Sequence, residues 1–186
     1  MGYIFDPATI HEIGKKAVGK AHEEQERILG EELERAFPGH INRDQPWIYS
    51  LAAGATGVMK IFHASLTEYV LFFGTPIGTE AFSGRYLLDI YDVVTAGDMW
   101  TYTDRNFRTK TITRPGEMAH LRRDEVKGFR LPDGCWMLEY GRGPVPTALP
   151  VALGDSIFSA MDPVTLYDTL RIYGKLVVKE LRQGKI

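Results

Sequence analysis

The sequence has a single cysteine, Cys135. No internal disulfide framework can form, and no cysteine-based metal motif exists. Histidine is sparse too: five residues, widely scattered, with no His-x-His pair. There is no run of eighteen or more apolar residues and no basic-then-apolar leader. Neither a spanning helix nor a signal peptide is therefore expected, which points to a cytoplasmic or peripheral membrane location. No long basic run exists, and 22 Lys+Arg against 24 Asp+Glu give a net charge of -2. A broad nucleic-acid footprint is excluded on that balance. The Gly-rich stretches at 54–57 and 141–143 lack the Lys-Ser/Thr of a phosphate loop and the full dinucleotide fingerprint, so turns account for them.

What is present is ordinary for a soluble globular chain: 186 residues, 44% hydrophobic and 25% charged. One domain is expected over 1–186, in three parts. Residues 1–40 form a helical segment, opened by Asp6 as N-cap and Pro7 at the first helical position. Its spacing fits one kinked helix or two shorter ones. Residues 45–145 carry many short strand candidates, at 47–51, 58–65, 67–73, 85–92, 99–103, 109–113, 126–131 and 135–143. Residues 74–84 read as loop. Two helices are expected in 146–183, at 148–161 and 164–181, the second starting with Asp162-Pro163. Tyr167, Leu170, Tyr173, Val177 and Leu181 form the apolar stripe of that last helix.

Strand parity singles out two carboxylates. In Cys135-Trp136-Met137-Leu138-Glu139-Tyr140-Gly141-Arg142-Gly143, one face carries Cys135, Met137 and Glu139, and the other Trp136, Leu138 and Tyr140. Both faces are largely apolar, so Glu139 must be paired, protonated or used. In 85–92, Asp92 ends the otherwise apolar row Tyr86, Leu88 and Ile90. Asp92 equally suits a cap on the turn at 93–97. Met59, Ile61 and His63 share a face of the 58–65 strand, where His63 reads as a satisfied core histidine. Tyr69, Leu71 and Phe73 share a face of the next strand. Glu68 and Asp89 fall on the opposite parity and read as partners for Arg85, Arg142 or backbone.

Several runs resemble one known family. They are His63-Ala64-Ser65-Leu66-Thr67-Glu68-Tyr69-Val70-Leu71-Phe72-Phe73-Gly74-Thr75, Ser83-Gly84-Arg85-Tyr86, Pro115-Gly116-Glu117 and Trp136 through Gly143. Thr165-Leu166-Tyr167-Asp168-Thr169-Leu170-Arg171-Ile172-Tyr173 completes the set. Long, ordered and spread over about residues 36–175, they are similar to the sterol C-8 isomerase / sigma non-opioid receptor family. The resemblance implies an α+β, mainly β, fold: a cupin-like β-barrel with N-terminal helices, and two C-terminal amphipathic helices covering its mouth and lying against a membrane. It implies a homotrimer and a hydrophobic substrate or cationic amine ligand. It implies that Glu139 anchors amines, that Asp92 faces it, that Tyr69 supports it, and that Tyr173 contacts ligand. Tyr86, Met59, Ile61 and Phe73 complete the expected lining. Eukaryotic members carry an N-terminal spanning helix, and none is expected in this chain. Pro115-x-x-x-x-His120 matches half of a cupin metal motif, but without an upstream His-x-His neither a metal nor another cofactor is expected.

Two carboxyls in an apolar pocket suit double-bond isomerisation through a carbocation. One stays protonated as the acid, and the other stays ionised beside the cation. A delta8-delta7 sterol isomerase type of activity, on a sterol or other isoprenoid, is the leading expectation. A terpenoid cyclase on the same scaffold, a non-catalytic amine-binding receptor and a structural role at a membrane surface are the alternatives.

Overall fold

The computed structural model describes residues 2–185. Two short helices open the chain, α1 (Pro7–Lys16) and α2 (His22–Ala36). The Asp6 carboxylate accepts from the Thr9 amide at 2.9 Å, and Pro7 holds the first helical position. Gly19, at φ +75°, makes the break between the helices.

Ten strands follow: β1 (Ile48–Ala52), β2 (Ala55–Ala64), β3 (Glu68–Thr75), β4 (Thr79–Phe82), β5 (Asp89–Ala96), β6 (Met99–Thr103), β7 (Thr111–Thr113), β8 (Met118–Leu121), β9 (Lys127–Leu131) and β10 (Cys135–Arg142). They form a six-stranded sheet, in order β1-β2-β3-β10-β5-β8, and a four-stranded sheet, β4-β9-β6-β7. All pairings are antiparallel. The expected closed barrel is thus two sheets. Among the described residues no strand of one pairs with a strand of the other. Contacts such as the Phe82 amide on the Ala53 carbonyl bring them together at a corner. A 3-10 turn (Val145–Ala148) leads into α3 (Leu149–Phe158) and α4 (Pro163–Arg182). Asp162 caps α4 through the Val164 and Thr165 amides.

The larger sheet separates two interiors. On one face, α1 and α2 bury Ile10, Ile13, Leu29 and Leu33 against Phe62, Val70, Phe72, Val93, Leu138 and Tyr140. On the other, Phe73, Val94 and Met137 meet Met99 and Leu131 of the smaller sheet. β3 and β10 obey the expected alternation, because a sheet covered on both faces needs apolar residues at both parities. On β3, Glu68 is the polar exception on the helix side. Fully buried, it accepts from the Ile4 and Phe5 amides (2.8 and 3.1 Å) and the Tyr140 hydroxyl (2.8 Å), and it pairs with Lys185 Nζ at 2.8 Å. One carboxylate so ties both chain ends to the sheet. Backbone was one of its expected partners. Neither Arg85 nor Arg142 is: Arg142 donates to the Tyr91 hydroxyl.

Several sequence expectations are corrected. The expected strand 85–92 is β5 (Asp89–Ala96), so the 93–97 stretch is mostly strand and Asp92 is central in it. Its six consecutive buried residues, 90–95, explain the shift: pairing with β10 and β8 carries the strand on past Asp92. β4 lies within the stretch read as loop, and β8 was not anticipated. Each is four residues long and is set by pairing with β9 or β5 rather than by its own pattern. His63 does not share a face with Met59 and Ile61. A register irregularity between Ile61 and His63 reverses parity. The fully buried His63 packs edge-on to Phe5, its centroid 4.7 Å away, on the helix side. In α4, Tyr167, Leu170 and Leu181 are exposed. The buried face is Thr165, Thr169, Ile172, Leu176, Val177 and Glu180, its polar members partly met by neighbours. Thr165 bonds Asp162, and Glu180 bonds His40 at 2.8 Å.

Candidate functional site

Between the two sheets, under α3 and α4, lies a cavity of about 220 Å³. Its lining is mostly aliphatic and aromatic. Met59, Ile61, Tyr69, Phe73, Tyr86, Asp92, Glu139 and Tyr173, the residues singled out from sequence, all reach it. Tyr86 does so from the irregular segment before β5, although it was expected on a strand. α3 and α4 contribute Leu149, Ala152, Thr169, Leu170 and Tyr173.

Glu139 sits at the centre of the larger sheet. β10 places it opposite Asp92 of β5 on one side and Leu71 of β3 on the other. Directly opposed residues have Cβ atoms about 4.5–5.5 Å apart, so the two carboxyls face the same space at close range. The Tyr69 hydroxyl donates to Glu139 Oε1 at 2.6 Å. Tyr69 is opposite Gly141, two residues along, and its ring leans across that glycine. A Cβ on Gly141 would lie 2.2 Å from the ring. The missing side chain is therefore what lets the tyrosine reach the glutamate.

The sequence reading missed a third charged group, Lys127 at the start of β9. Its ammonium contacts Asp92 Oδ2 inside the cavity. The alternation Lys127, Phe129, Leu131 was the available signal, a charge at the end of an apolar row like that of Asp92. Asp92 is therefore not a strand cap bonded to backbone amides.

These neighbours set the chemistry. Burial, reinforced by the negative charge of Asp92, raises the Glu139 carboxyl from its ordinary 4.5 to about 7. The Tyr69 hydroxyl and the Lys127 ammonium oppose that rise. Glu139 keeps some accessible surface, but it meets the cavity rather than open solvent. Burial first, then the charge of Glu139, holds the Tyr69 phenol well above its ordinary value, so it remains a donor. Burial also raises Tyr86 and the Cys135 thiol, the latter to about 12, which leaves the thiol protonated and inert. The Tyr173 hydroxyl has no hydrogen-bond partner among the described residues. On the opposite parity of β5, Asp89 pairs with His120 at 3.0 Å, outside the lining of the cavity. Among the described residues no group of three His, Cys, Asp or Glu side chains is placed to hold a metal.

The family model described as "ERG2 and Sigma1 receptor like protein" matches residues 1–185. A C-8 sterol isomerase ERG2 of Gibberella zeae is 37% identical, over 99% of this chain and 79% of its own length. The Sigma non-opioid intracellular receptor 1 of Gallus gallus is 41% identical, over 96% of this chain and 81% of its own. Among solved structures, an RmlC-like cupin from Shewanella frigidimarina aligns with a TM-score of 0.45 and 13% identity, over 55% of this chain and 86% of that one. No helix among the described residues is long and apolar enough to cross a membrane.

Proposed function

Because the chain belongs to the ERG2 and Sigma1 receptor like family, we propose that the cavity binds a hydrophobic small molecule with one end held against Glu139. The observation that carries this reading is an apolar cavity containing a carboxyl that keeps its proton near neutrality. The Tyr173 hydroxyl, without a hydrogen-bond partner among the described residues, supplies one for a polar group on the ligand.

The catalytic form of this reading is a cofactor-independent shift of a C=C bond, delta8 to delta7 if the ligand is a sterol. Glu139 gives its proton to one alkene carbon, and the other becomes a tertiary carbocation. The carboxylate left on Glu139 stabilises that cation electrostatically, beside the Asp92 carboxylate whose charge Lys127 matches. A proton then leaves the neighbouring carbon to Glu139 or Asp92, and the double bond forms one position along. Net proton count and charge are unchanged. Tyr69 is the positioning residue that fixes the Glu139 carboxyl.

The test is turnover of sterol and linear isoprenoid alkenes in deuterated water. Solvent deuterium should enter a product of unchanged connectivity. Glu139→Gln and Asp92→Asn should each lower turnover at least about a thousandfold while binding persists. Full activity in either variant sinks the mechanism.

A second reading is favoured by the 41% identity to the avian receptor. The cavity then holds a protonated hydrophobic amine without turnover, the ammonium standing where the carbocation would form. Binding of an amine with no conversion of any alkene is the result that selects it. Under either reading we propose a homotrimer, and a peripheral membrane contact through Phe158, Met161, Val164 and Tyr167. All four are exposed apolar side chains at the α3–α4 corner.

A further inference from the structure

The cavity already contains a cation. Lys127 comes from the smaller sheet, and its side chain is 11% exposed where it meets Asp92, itself 2% exposed. Besides Glu139, five other titratable side chains line the cavity among the described residues, and the remaining lining elements bring none. The five are Tyr69 of β3, Tyr86 before β5, Asp92 of β5, Lys127 of β9 and Tyr173 of α4. The tyrosines are neutral, so the charge rests on three side chains. With Glu139 protonated, Asp92 and Lys127 cancel. A buried charge without a partner is costly, so an entering ammonium needs a free carboxylate. Asp92 is taken, and only Glu139 can supply one, by losing its proton.

We propose that Lys127 is a specificity-determining residue: a built-in counterion that occupies, beside Asp92, the seat a ligand ammonium would take. The cavity thereby favours neutral hydrophobic ligands, and it admits a protonated amine only as Glu139 releases a proton. This rests on the reading of the cavity as a ligand site. Because it assigns a preference between ligand classes, it bears directly on which of the two functional readings holds.

The experiment is titration calorimetry with N,N-dimethyldodecylamine, protonated throughout, and with 1-dodecanol as the neutral probe. Each is measured at about pH 5.5 and about pH 7.5, in buffers of different ionisation enthalpy. In the unaltered protein about one proton should leave per amine bound at the lower pH. Amine affinity should rise about tenfold per pH unit below the Glu139 titration. Dodecanol should show neither effect. In Lys127→Met the Asp92–Glu139 pair holds one proton and one open charge. Amine binding at pH 5.5 should tighten by about tenfold or more, and the proton release should disappear. Lys127→Arg should restore the original behaviour.

The proposal is overturned if the unaltered protein releases no proton on binding amine, a measurement that needs no variant to fold. It is equally overturned if Lys127→Met binds amine no tighter. If both probes bind, and Glu139→Gln alters amine binding while Lys127→Met does not, this inference alone fails. If neither probe binds, the ligand-site reading fails and the inference falls with it.

Discussion

At the scale of single residues, Glu139 shows how one environment makes an ordinary carboxyl unusual. Its proton affinity rises because the folded chain removes it from water and sets Asp92 opposite, and Tyr69 and Lys127 return only part of that cost. A carboxyl that binds its proton more tightly folded than unfolded stabilises the fold below its unfolded pKa. That contribution is lost as pH rises through the folded value. The window here is about 4.5 to 7. Urea unfolding at pH 5 and pH 8 should therefore show Glu139→Gln gaining on the unaltered protein as pH rises. The gain should be on the order of 2 to 3 kcal/mol, each tenfold in proton affinity being about 1.4 kcal/mol. Parallel profiles would mean that Glu139 is not held protonated. The residue pattern alone pointed to Glu139 as an anomaly, and Lys127 was open to the same parity reasoning. That Lys127 reaches Asp92 was not, because the two lie on strands of different sheets.

At the scale of elements, helix and sheet meet through close approach. Gly14 of α1 lies against Val93 of β5, and a Cβ there would fall 2.5 Å from Val93 Cγ1. Gly14→Ala gains roughly 1 kcal/mol of helix propensity. It also forces α1 off the buried sheet or displaces Val93, an overpacking cost of about 1–3 kcal/mol. The buried contact has little room to yield, so a net loss of about 1–2 kcal/mol is expected. It should appear as a lower urea midpoint with an unchanged slope, and a gain in stability would show that α1 can retreat freely. Elements with their own pattern were legible: both Asp-Pro helix starts, β3 and β10. β4, β8 and the reversal within β2 were not, since short strands and bulges take their form from the partner strand.

At the scale of the whole molecule, the larger sheet is covered by helices on one face and opens onto the cavity on the other. α3 and α4 roof that cavity and leave an apolar corner facing outward. If that corner touches a bilayer, the protein should float with vesicles of phosphatidylcholine and anionic lipid. Phe158→Ser combined with Met161→Ser should leave it in the dense fraction, with unfolding unchanged because both side chains are largely exposed, 86% and 78%. Equal flotation of the two proteins would place the contact elsewhere. Sedimentation in the absence of lipid tests the trimer.

The sequence by itself determined the helix starts, the parity of the central strands and the presence of two carboxylates on apolar faces. These are local matters of period and composition, and the ordered motifs supplied the family. Only the tertiary structure decided that Asp92 stands opposite Glu139, that Tyr69 reaches across Gly141, and that a lysine from a second sheet neutralises one carboxylate of the pair. Register, sheet order and the approach of two sheets depend on contacts between residues distant in the chain. Those contacts give the proton on Glu139 its place.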